Sequence, residues 1–430
     1  MKISYTHIAC FYVLISFLLD PISAFWRGPS LIILGDVFII TIVSYILIRR
    51  KYKSYIAWCL VLLALSCAGM LTTVRYGLNV SAIALVLKNR AIFIFILTIL
   101  FYMLVFSRLK TIELIKMDFF LERLIQFNII FLLVEGIALN CFGMSGMFKQ
   151  IFHESGYRIG AYYGVFGIAP NGLVFGRQNA SILSIIAILR WFPWNSDWLK
   201  MSVNKSIWLA AAVVSWLITM TTTSIICLVA VIAFIYMLGL ARKFRWCIVC
   251  LVLLSPLFVV KYYDDYVINK VGHIRTSEEV SNYTGKLLYT FTQPISVMLN
   301  EPAELMIGRG NIPQNFSEYH YGHAAKIKSG DIASLILIVT YGALLISVIF
   351  FSYIIYVIKV LWYLKKLPKI HIRNGKIILT SFMATMVLIL STIHYATLLQ
   401  NGMMQLFAFA FALSYVMIKN KKPDESVHQI

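Results

Sequence analysis

The chain has 430 residues, of which 60% are hydrophobic and 13% are charged, and its mean hydropathy is +0.82. Soluble globular domains carry about 25% charged residues, so this composition excludes a soluble protein and indicates a chain that crosses a membrane repeatedly. The formal net charge of +20 does not indicate nucleic-acid binding, because the basic residues cluster in short loops between apolar segments, as the positive-inside rule requires.

Apolar segments of spanning length recur along the whole chain. A membrane-spanning helix needs about 20 mostly apolar residues, and this criterion predicts about twelve spans. They cover residues 5–25, 31–48, 54–71, 91–107, 124–142, 173–192, 206–222, 223–240, 246–260, 331–358, 377–394 and 402–418. The seventh and eighth spans are divided at residues 221–224 (TTTS), whose hydroxyls satisfy the backbone of a tight turn. The sequence therefore predicts an all-α polytopic fold.

The predicted spans divide the chain into three parts. Residues 1–260 contain nine spans with short loops, residues 261–330 form one long polar loop, and residues 331–430 contain the last three spans and a tail. Backbone polar groups do not face lipid unpaired, so the long loop must lie outside the bilayer. Its segment 276–279 (TSEE) fits a helix capping box, which predicts a short helix there. We expect the function to reside in this loop.

Basic residues are distributed unequally between the alternate loops. Lysine and arginine number 23 in one set of loops and 13 in the other. Because loops rich in basic residues stay on the cytoplasmic side, this asymmetry predicts that both termini are cytoplasmic and that the long loop lies on the opposite side. On the cytoplasmic side, residues 108–123 are amphipathic and basic, which predicts an interfacial helix.

Arginines on the predicted outer side are candidate ligands for an anionic substrate. They are Arg158, Arg177, Arg275 and Arg309. Arginine binds phosphate through a planar, permanently charged fork, although a solvated loop charge or a contact with lipid phosphate explains any single one of them. Arg177 lies within a span, where a charge needs a partner in the bundle interior. Because Asp36 and Glu135 lie at a similar depth, we expect the three residues to form a structural polar cluster.

The long loop also contains candidate catalytic groups, namely Glu318, His320 and His323. Histidine acts as a general base near neutral pH. The HxxH spacing also suits a metal, but the sequence offers no clear third ligand, so we expect no metal. The chain lacks the GxxxxGK[ST] motif of ATP-driven enzymes, and we expect no nucleotide cofactor.

Four segments carry a resemblance to a known family. They are RIGAYYGVFGIAPNGLVFG (158–176), ITMTTTSIICLVAVIAFIYML (218–238), LMIGRGN (305–311) and DIASLILIVTYGALLI (331–346). On these segments the chain resembles the Wzy-type O-antigen polymerase and O-antigen ligase superfamily of bacterial envelope proteins, over roughly residues 155–350. It departs from the family after the Thr/Ser break, where many relatives have Ser-Arg and this chain has Ser224-Ile225.

The resemblance implies a glycosyltransferase that joins oligosaccharide repeat units on the periplasmic face of the bacterial inner membrane. The implied donor is a glycan on undecaprenyl diphosphate: an acceptor hydroxyl attacks the anomeric carbon and the lipid diphosphate leaves. This donor is already activated, so the implied reaction needs neither metal nor nucleotide. Membrane lipids and a chain-length regulator protein are the further partners that the resemblance implies. The expected fold is an all-α polytopic membrane protein with about 12 transmembrane helices and one long periplasmic loop that contains short helices.

Two other functions stay open. An O-antigen ligase performs the same chemistry on a different acceptor. A transporter or flippase of lipid-linked oligosaccharides would use Asp36, Glu135 and Arg177 in coupling to protons. Transporters place their sites between internal repeats, whereas no repeat is visible in this sequence. The single long outer loop therefore favours the polymerase.

Overall fold

The computed structural model is helical in the part of the chain that it describes, apart from one pair of two-residue strands. The described residues are 5–26, 30–49, 82–142, 202–237, 302–308, 333–366, 373–394, 398 and 401–420, together with 57–67 and 163–194 with short gaps. The helices are α1 Tyr5–Trp26, α2 Ser30–Arg49, α3 Ala82–Phe106, α4 Thr111–Cys141, α5 Arg177–Trp191, α6 Val203–Thr219, α7 Thr222–Met237, α8 Pro302–Ile307, α9 Ala333–Lys366, α10 Arg373–His394 and α11 Asn401–Lys419. The strands are β1 Tyr163–Gly164 and β2 Gly167–Ile168.

Four helical segments among the described residues are long and apolar enough to cross a membrane. They are Thr111–Cys141, Thr340–Lys365, Asn374–Thr392 and Gly402–Lys419. Shorter apolar helices occur at Tyr5–Phe17, Gly35–Ile46, Arg90–Phe106, Val203–Thr219 and Thr223–Tyr236. Together they indicate a membrane protein. The total of about twelve spans stays a prediction, and the ninth predicted span, residues 246–260, lies outside the described residues.

The helices differ in how they contribute to the core. In Gly402–Lys419, 78% of the residues are buried, whereas only 17% are buried in an 18-residue apolar stretch of Thr340–Lys365. α11 packs against α1, α3 and α10, while α9 carries exposed Phe350, Phe351 and Trp362. Large apolar side chains on an outer face are typical of a helix that faces lipid. α11 therefore lies at the centre of the bundle and α9 at its edge.

α4 corrects one expectation from the sequence. Residues 108–123 were expected to form an interfacial helix before a separate span at 124–142, but one continuous helix runs from Thr111 to Cys141. The helix begins where the backbone N–H of Lys110 donates to Glu113 Oε2 (2.8 Å). Its first turns bury Leu114, Met117 and Leu121 at helical spacing, so the segment packs into the bundle and no helix breaker separates it from the apolar part.

α4 and α5 run antiparallel, which places two polar sites at opposite ends of the pair. Just before α5, the backbone N–H of Leu173 donates to Asn128 Oδ1 on α4 (3.2 Å). Near the end of α5, Arg190 donates to Asp118 Oδ2 near the start of α4 (2.7 Å). Arg177 and Arg190 are 13 residues apart, which corresponds to about 20 Å along a helix. We call these regions the Arg177 end and the Arg190 end of the bundle.

α9 and α10 can be placed relative to the same two ends. Lys376, near the start of α10, lies beside Arg190 in one cavity. Only residues 367–372 connect α9 to α10, and the hydroxyls of Tyr353 and Thr385, midway along the two helices, are 3.2 Å apart. α9 has a kink at Gly342. The part of α9 after this kink is therefore antiparallel to α10, and Gly342 lies at the Arg177 end.

Candidate functional site

The break between α6 and α7 lies where the Thr/Ser run of the sequence predicts it. α6 ends at Thr219 and α7 begins at Thr222. Ser224 Oγ donates to the carbonyl oxygen of Thr221 (2.7 Å) and accepts from the backbone N–H of Thr221 (3.1 Å) and from Trp216 Nε1 (3.0 Å). One hydroxyl therefore uses its donor and both acceptor positions to satisfy the backbone of the break.

Arg177 binds the open end of α6. Its Nε donates to the carbonyl oxygen of Thr219 (3.3 Å), and its Nη2 donates to the carbonyl oxygen of Met220. The last carbonyls of a helix lack intrahelical partners, and a cation there also complements the helix dipole. Arg177 thus fixes the start of α5 against the α6–α7 break. Its expected contact with a diphosphate stays a prediction.

Glu135 binds the turn that leads into α5. Its Oε2 accepts from the backbone N–H of Gly172 (2.8 Å), next to the bond between Asn128 and Leu173. Gly172 has φ +69°, and a Cβ atom there would lie 2.7 Å from Leu132 Cδ2. Only glycine fits both the left-handed backbone and this close approach. Three side chains of α4 therefore determine the path of the chain between the hairpin and α5.

The β1–β2 hairpin lies at the same end of the bundle. Tyr163 pairs with Ile168, and Gly164 pairs with Gly167, in antiparallel register. β2 lies against α4 and β1 against α6. The two strands thus contact α4, which carries Glu135, and α6, whose last carbonyls bind Arg177.

Asp36 does not join this site. Its carboxylate forms a two-bond ion pair with Arg90 through Nε and Nη2, the second at 3.1 Å. The expected cluster of Asp36, Glu135 and Arg177 is therefore wrong for Asp36, whose partner is Arg90. Glu135 and Arg177 bind separate backbone groups at the Arg177 end, and a shared cluster of these two residues stays a prediction. Arg90 was counted with the loop before a span at 91–107, but α3 begins at Ala82. Because α3 begins before Arg90, this residue lies within the helix and can reach Asp36.

Two glycines bring residues 302–308, in the second half of the long polar loop, into contact with the helix bundle. α8 packs against α9, and Gly308 and Gly342 have φ +80° and +82°. A Cβ atom on Gly308 would lie 2.5 Å from Gly342 N and from the carbonyl oxygen of Thr340. One on Gly342 would collide with the carbonyl oxygen of Met306. The segments LMIGRGN and TYGALLI, far apart in sequence, are thus in backbone contact at the Arg177 end.

The other predicted site residues lie outside the described residues. They are Arg158, Arg275, Arg309, Glu318, His320 and His323. Arg309 directly follows Gly308, so the chain continues toward it from the contact with α9. The roles of all six stay predictions.

The Arg190 end contains a charged group that the sequence analysis did not identify. Arg190 Nη2 donates to Asp118 Oδ2 (2.7 Å) and to Glu122 Oε2 (3.3 Å), and Trp191 Nε1 donates to Glu122 Oε1 (3.1 Å). The side chain of Arg190 is only 7% exposed. Two signals were present in the sequence: a second arginine inside the predicted span 173–192, which needs a partner, and two carboxylates at i and i+4 on one helix face.

Comparisons with known proteins give no match to a family model, to a curated protein or to a solved structure. The resemblance to the polymerase and ligase superfamily therefore rests on the four quoted segments. A fold does not by itself define a function, so the functional argument depends on the site.

Proposed function

We propose that the protein is a membrane glycan polymerase that joins oligosaccharide repeat units carried on undecaprenyl diphosphate at the periplasmic face of the inner membrane. The observation that carries the proposal is the contact between Gly308 and Gly342. It anchors residues 302–308, in the second half of the long polar loop, to the helices at the Arg177 end, where the chain before α5 is also held. Each of the four segments that carry the family resemblance includes residues that lie at this end, namely Gly172, Thr219, Gly308 and Gly342.

The proposed reaction explains why arginines would gather there. As the glycosidic bond of the donor breaks, negative charge develops on the lipid diphosphate. Preorganised cations stabilise such charge most where water is excluded, and the fork of arginine matches two phosphate oxygens. In the proposal Arg158, Arg275 and Arg309 bind the diphosphate. His320 or His323 accepts the proton of the acceptor hydroxyl, with Glu318 beside them.

The ion pairs of the described residues argue against a transporter. Asp36 lies in the second turn of α2 and Arg190 is the penultimate residue of α5. Transporters place substrate and coupling ions near the middle of the membrane, at broken helices. Charged pairs near helix ends agree better with chemistry at a membrane surface. A ligase shares this chemistry, and only the acceptor distinguishes it.

Deletion of the gene tests the proposal against both alternatives. We expect the deletion strain to carry single repeat units on its lipid A core and to lose the ladder of longer chains. Complementation with the intact gene should restore the ladder. A core without any repeat unit would indicate a ligase, and repeat units trapped on the cytoplasmic side would indicate a flippase. A normal ladder would contradict the proposal.

A further inference from the structure

A polar cavity lies at the opposite end of the bundle from the proposed glycan chemistry. It has a volume of about 360 Å³, is partly open to solvent and is lined by α4, α5, α6 and α10. Its charged lining consists of Asp118, Glu122, Arg190, Lys205 and Lys376. Cavities of this size hold small ligands, and the proposed polymerase reaction gives this one no role.

The cations of the cavity are only partly compensated. Asp118 and Glu122 share one nitrogen of Arg190, and Glu122 also accepts from Trp191. Lys205 and Lys376 reach the same cavity from α6 and α10, and neither forms an ion pair within the described residues. Three cations therefore line a space that contains two carboxylates.

Arg190 also retains an unused donor. Its side chain is more than nine-tenths buried, yet its Nε has no hydrogen-bond partner among the described residues. Buried hydrogen-bond donors nearly always have an acceptor. A buried charged donor without an acceptor costs more free energy than an ordinary lost hydrogen bond. An acceptor that carries negative charge would satisfy Arg190 and the two lysines together.

We propose that the Arg190 cavity binds a phosphate group, either in the headgroup of an anionic lipid or in a soluble phosphate ester. Lysine provides the compact point charges that phosphate oxygens accept, and Arg190 Nε provides a hydrogen bond from the buried side. Basic pockets between membrane helices on the cytoplasmic side bind anionic headgroups in this way. The predicted topology places the Arg190 end on that side.

The two sources of phosphate are distinguished by the probe. Full-length protein in a neutral detergent is titrated with dihexanoyl phosphatidylglycerol, with inorganic phosphate, and with a short-chain diacylglycerol that lacks phosphate. Native mass spectrometry counts the bound molecules, and the shift in unfolding temperature gives the affinity. Binding of the phospholipid alone would identify a lipid headgroup as the source, and binding of inorganic phosphate as well would identify a site for the phosphate group itself.

The variant that tests the site is Lys205→Gln with Lys376→Gln. Both lysines are exposed, so the protein should fold normally. Each contributes about fivefold to binding of an anionic group, and we expect the double variant to bind about 30-fold more weakly. The matched control is Lys116→Gln with Lys365→Gln, which removes two exposed lysines from the same end without touching the cavity. Its affinity should not change.

The proposal is overturned if the intact protein binds neither phosphate probe, if it binds the diacylglycerol equally well, or if the control pair loses as much affinity as the cavity pair. The experiment contains no glycan substrate. Its result is therefore independent of whether the protein is a polymerase.

Discussion

The two ends of the α4–α5 pair use the same residue type in different ways. Arg177 donates to backbone carbonyls exposed by a helix break, whereas Arg190, on the same helix, donates to two carboxylates. At the first end the partners belong to irregular backbone: the α6–α7 break and the turn at Gly172. At the second end they belong to one unbroken helix. The irregular backbone of the turns therefore holds the arginine at the Arg177 end. At the Arg190 end the arginine is held by Asp118 and Glu122, which the i, i+4 spacing places on one face of α4.

Removal of Arg190 tests this difference between the two ends most strongly. Arg190→Gln leaves the buried carboxylate of Asp118 and the half-buried carboxylate of Glu122 without their cation, and a broken buried ion pair costs about 3–5 kcal/mol in the free energy of unfolding. Denaturant unfolding of the purified protein in detergent measures this loss. Lys116→Gln, at an exposed lysine on α4, serves as the control and should cost less than about 0.5 kcal/mol.

A compensated variant sharpens the same test. Arg190→Met combined with Asp118→Leu and Glu122→Gln removes all charge while Gln keeps an acceptor for Trp191. Replacing a whole buried charge group with matching neutral side chains is often neutral or stabilising. The triple variant should therefore recover most of the stability that Arg190→Gln loses. If it is as unstable as the single variant, packing and not charge holds the Arg190 end together.

The glycine contact at the other end should respond to a single methyl group. Gly342→Ala places a Cβ at φ +82° against the backbone of α8. Strain and overpacking together should lower the free energy of unfolding by about 2–4 kcal/mol. They should also displace residues 302–308 of the long loop. Protease sensitivity of residues 302–308 and the length of the glycan ladder are the measurements.

Gly136→Ala is the matched control for the glycine contact. A Cβ atom there meets only ordinary contacts at 3.6 Å or more, so it should leave both readouts unchanged. An intact loop and a normal ladder in Gly342→Ala would show that the contact does not position the site.

Arg177 should matter less to stability than Arg190. Arg177→Ala removes charge-assisted bonds to the end of α6 and should cost about 1.5–3 kcal/mol in the free energy of unfolding. Arg177→Lys should recover only part of that loss, because a point charge does not reproduce two bonds from a planar fork. Denaturant unfolding of the two variants measures the difference. A loss for Arg177→Ala as large as that for Arg190→Gln would contradict the distinction between the two ends.

The smallest change in the free energy of unfolding is expected for Glu135→Gln. Glu135→Gln keeps an oxygen that accepts from the backbone N–H of Gly172, so the change in the free energy of unfolding should stay below about 1 kcal/mol. Glu135→Ala removes the acceptor and should cost about 1–3 kcal/mol. Equal losses for the two variants would show that the charge of Glu135, and not its hydrogen bond, holds the turn.

Hydropathy predicted the helical, membrane-spanning character of the chain, because length and apolar composition dominate a membrane helix. The total of about twelve spans stays a prediction. The sequence also predicted the division of residues 206–240, since the Thr/Ser run supplies hydroxyls for a break. It did not predict that α4 begins at Thr111 or that α3 begins at Ala82. Charged residues lower the hydropathy of those turns, although their apolar neighbours still pack into the bundle.

The polar partners were harder to predict than the helices. The sequence predicted a cluster of Asp36, Glu135 and Arg177 because the three residues lie at a similar depth in the membrane. Two residues at equal depth meet only if their helices are neighbours. α2 packs against α3, so Asp36 binds Arg90. The contact between Gly308 and Gly342 also depends on tertiary packing. Both glycines were visible in the quoted segments, yet no local pattern indicates that they touch.

In the proposed reaction the chain itself joins lipid-linked repeat units at the periplasmic face of the membrane. Purified protein, incubated with undecaprenyl-diphosphate-linked repeat units and EDTA, should produce a ladder of longer glycans and release undecaprenyl diphosphate. Arg275→Ala should slow this reaction about a hundredfold, and Lys270→Ala should leave it unchanged. No ladder from the intact protein, or a ladder that needs an added divalent ion or is unaffected by Arg275→Ala, would contradict the account.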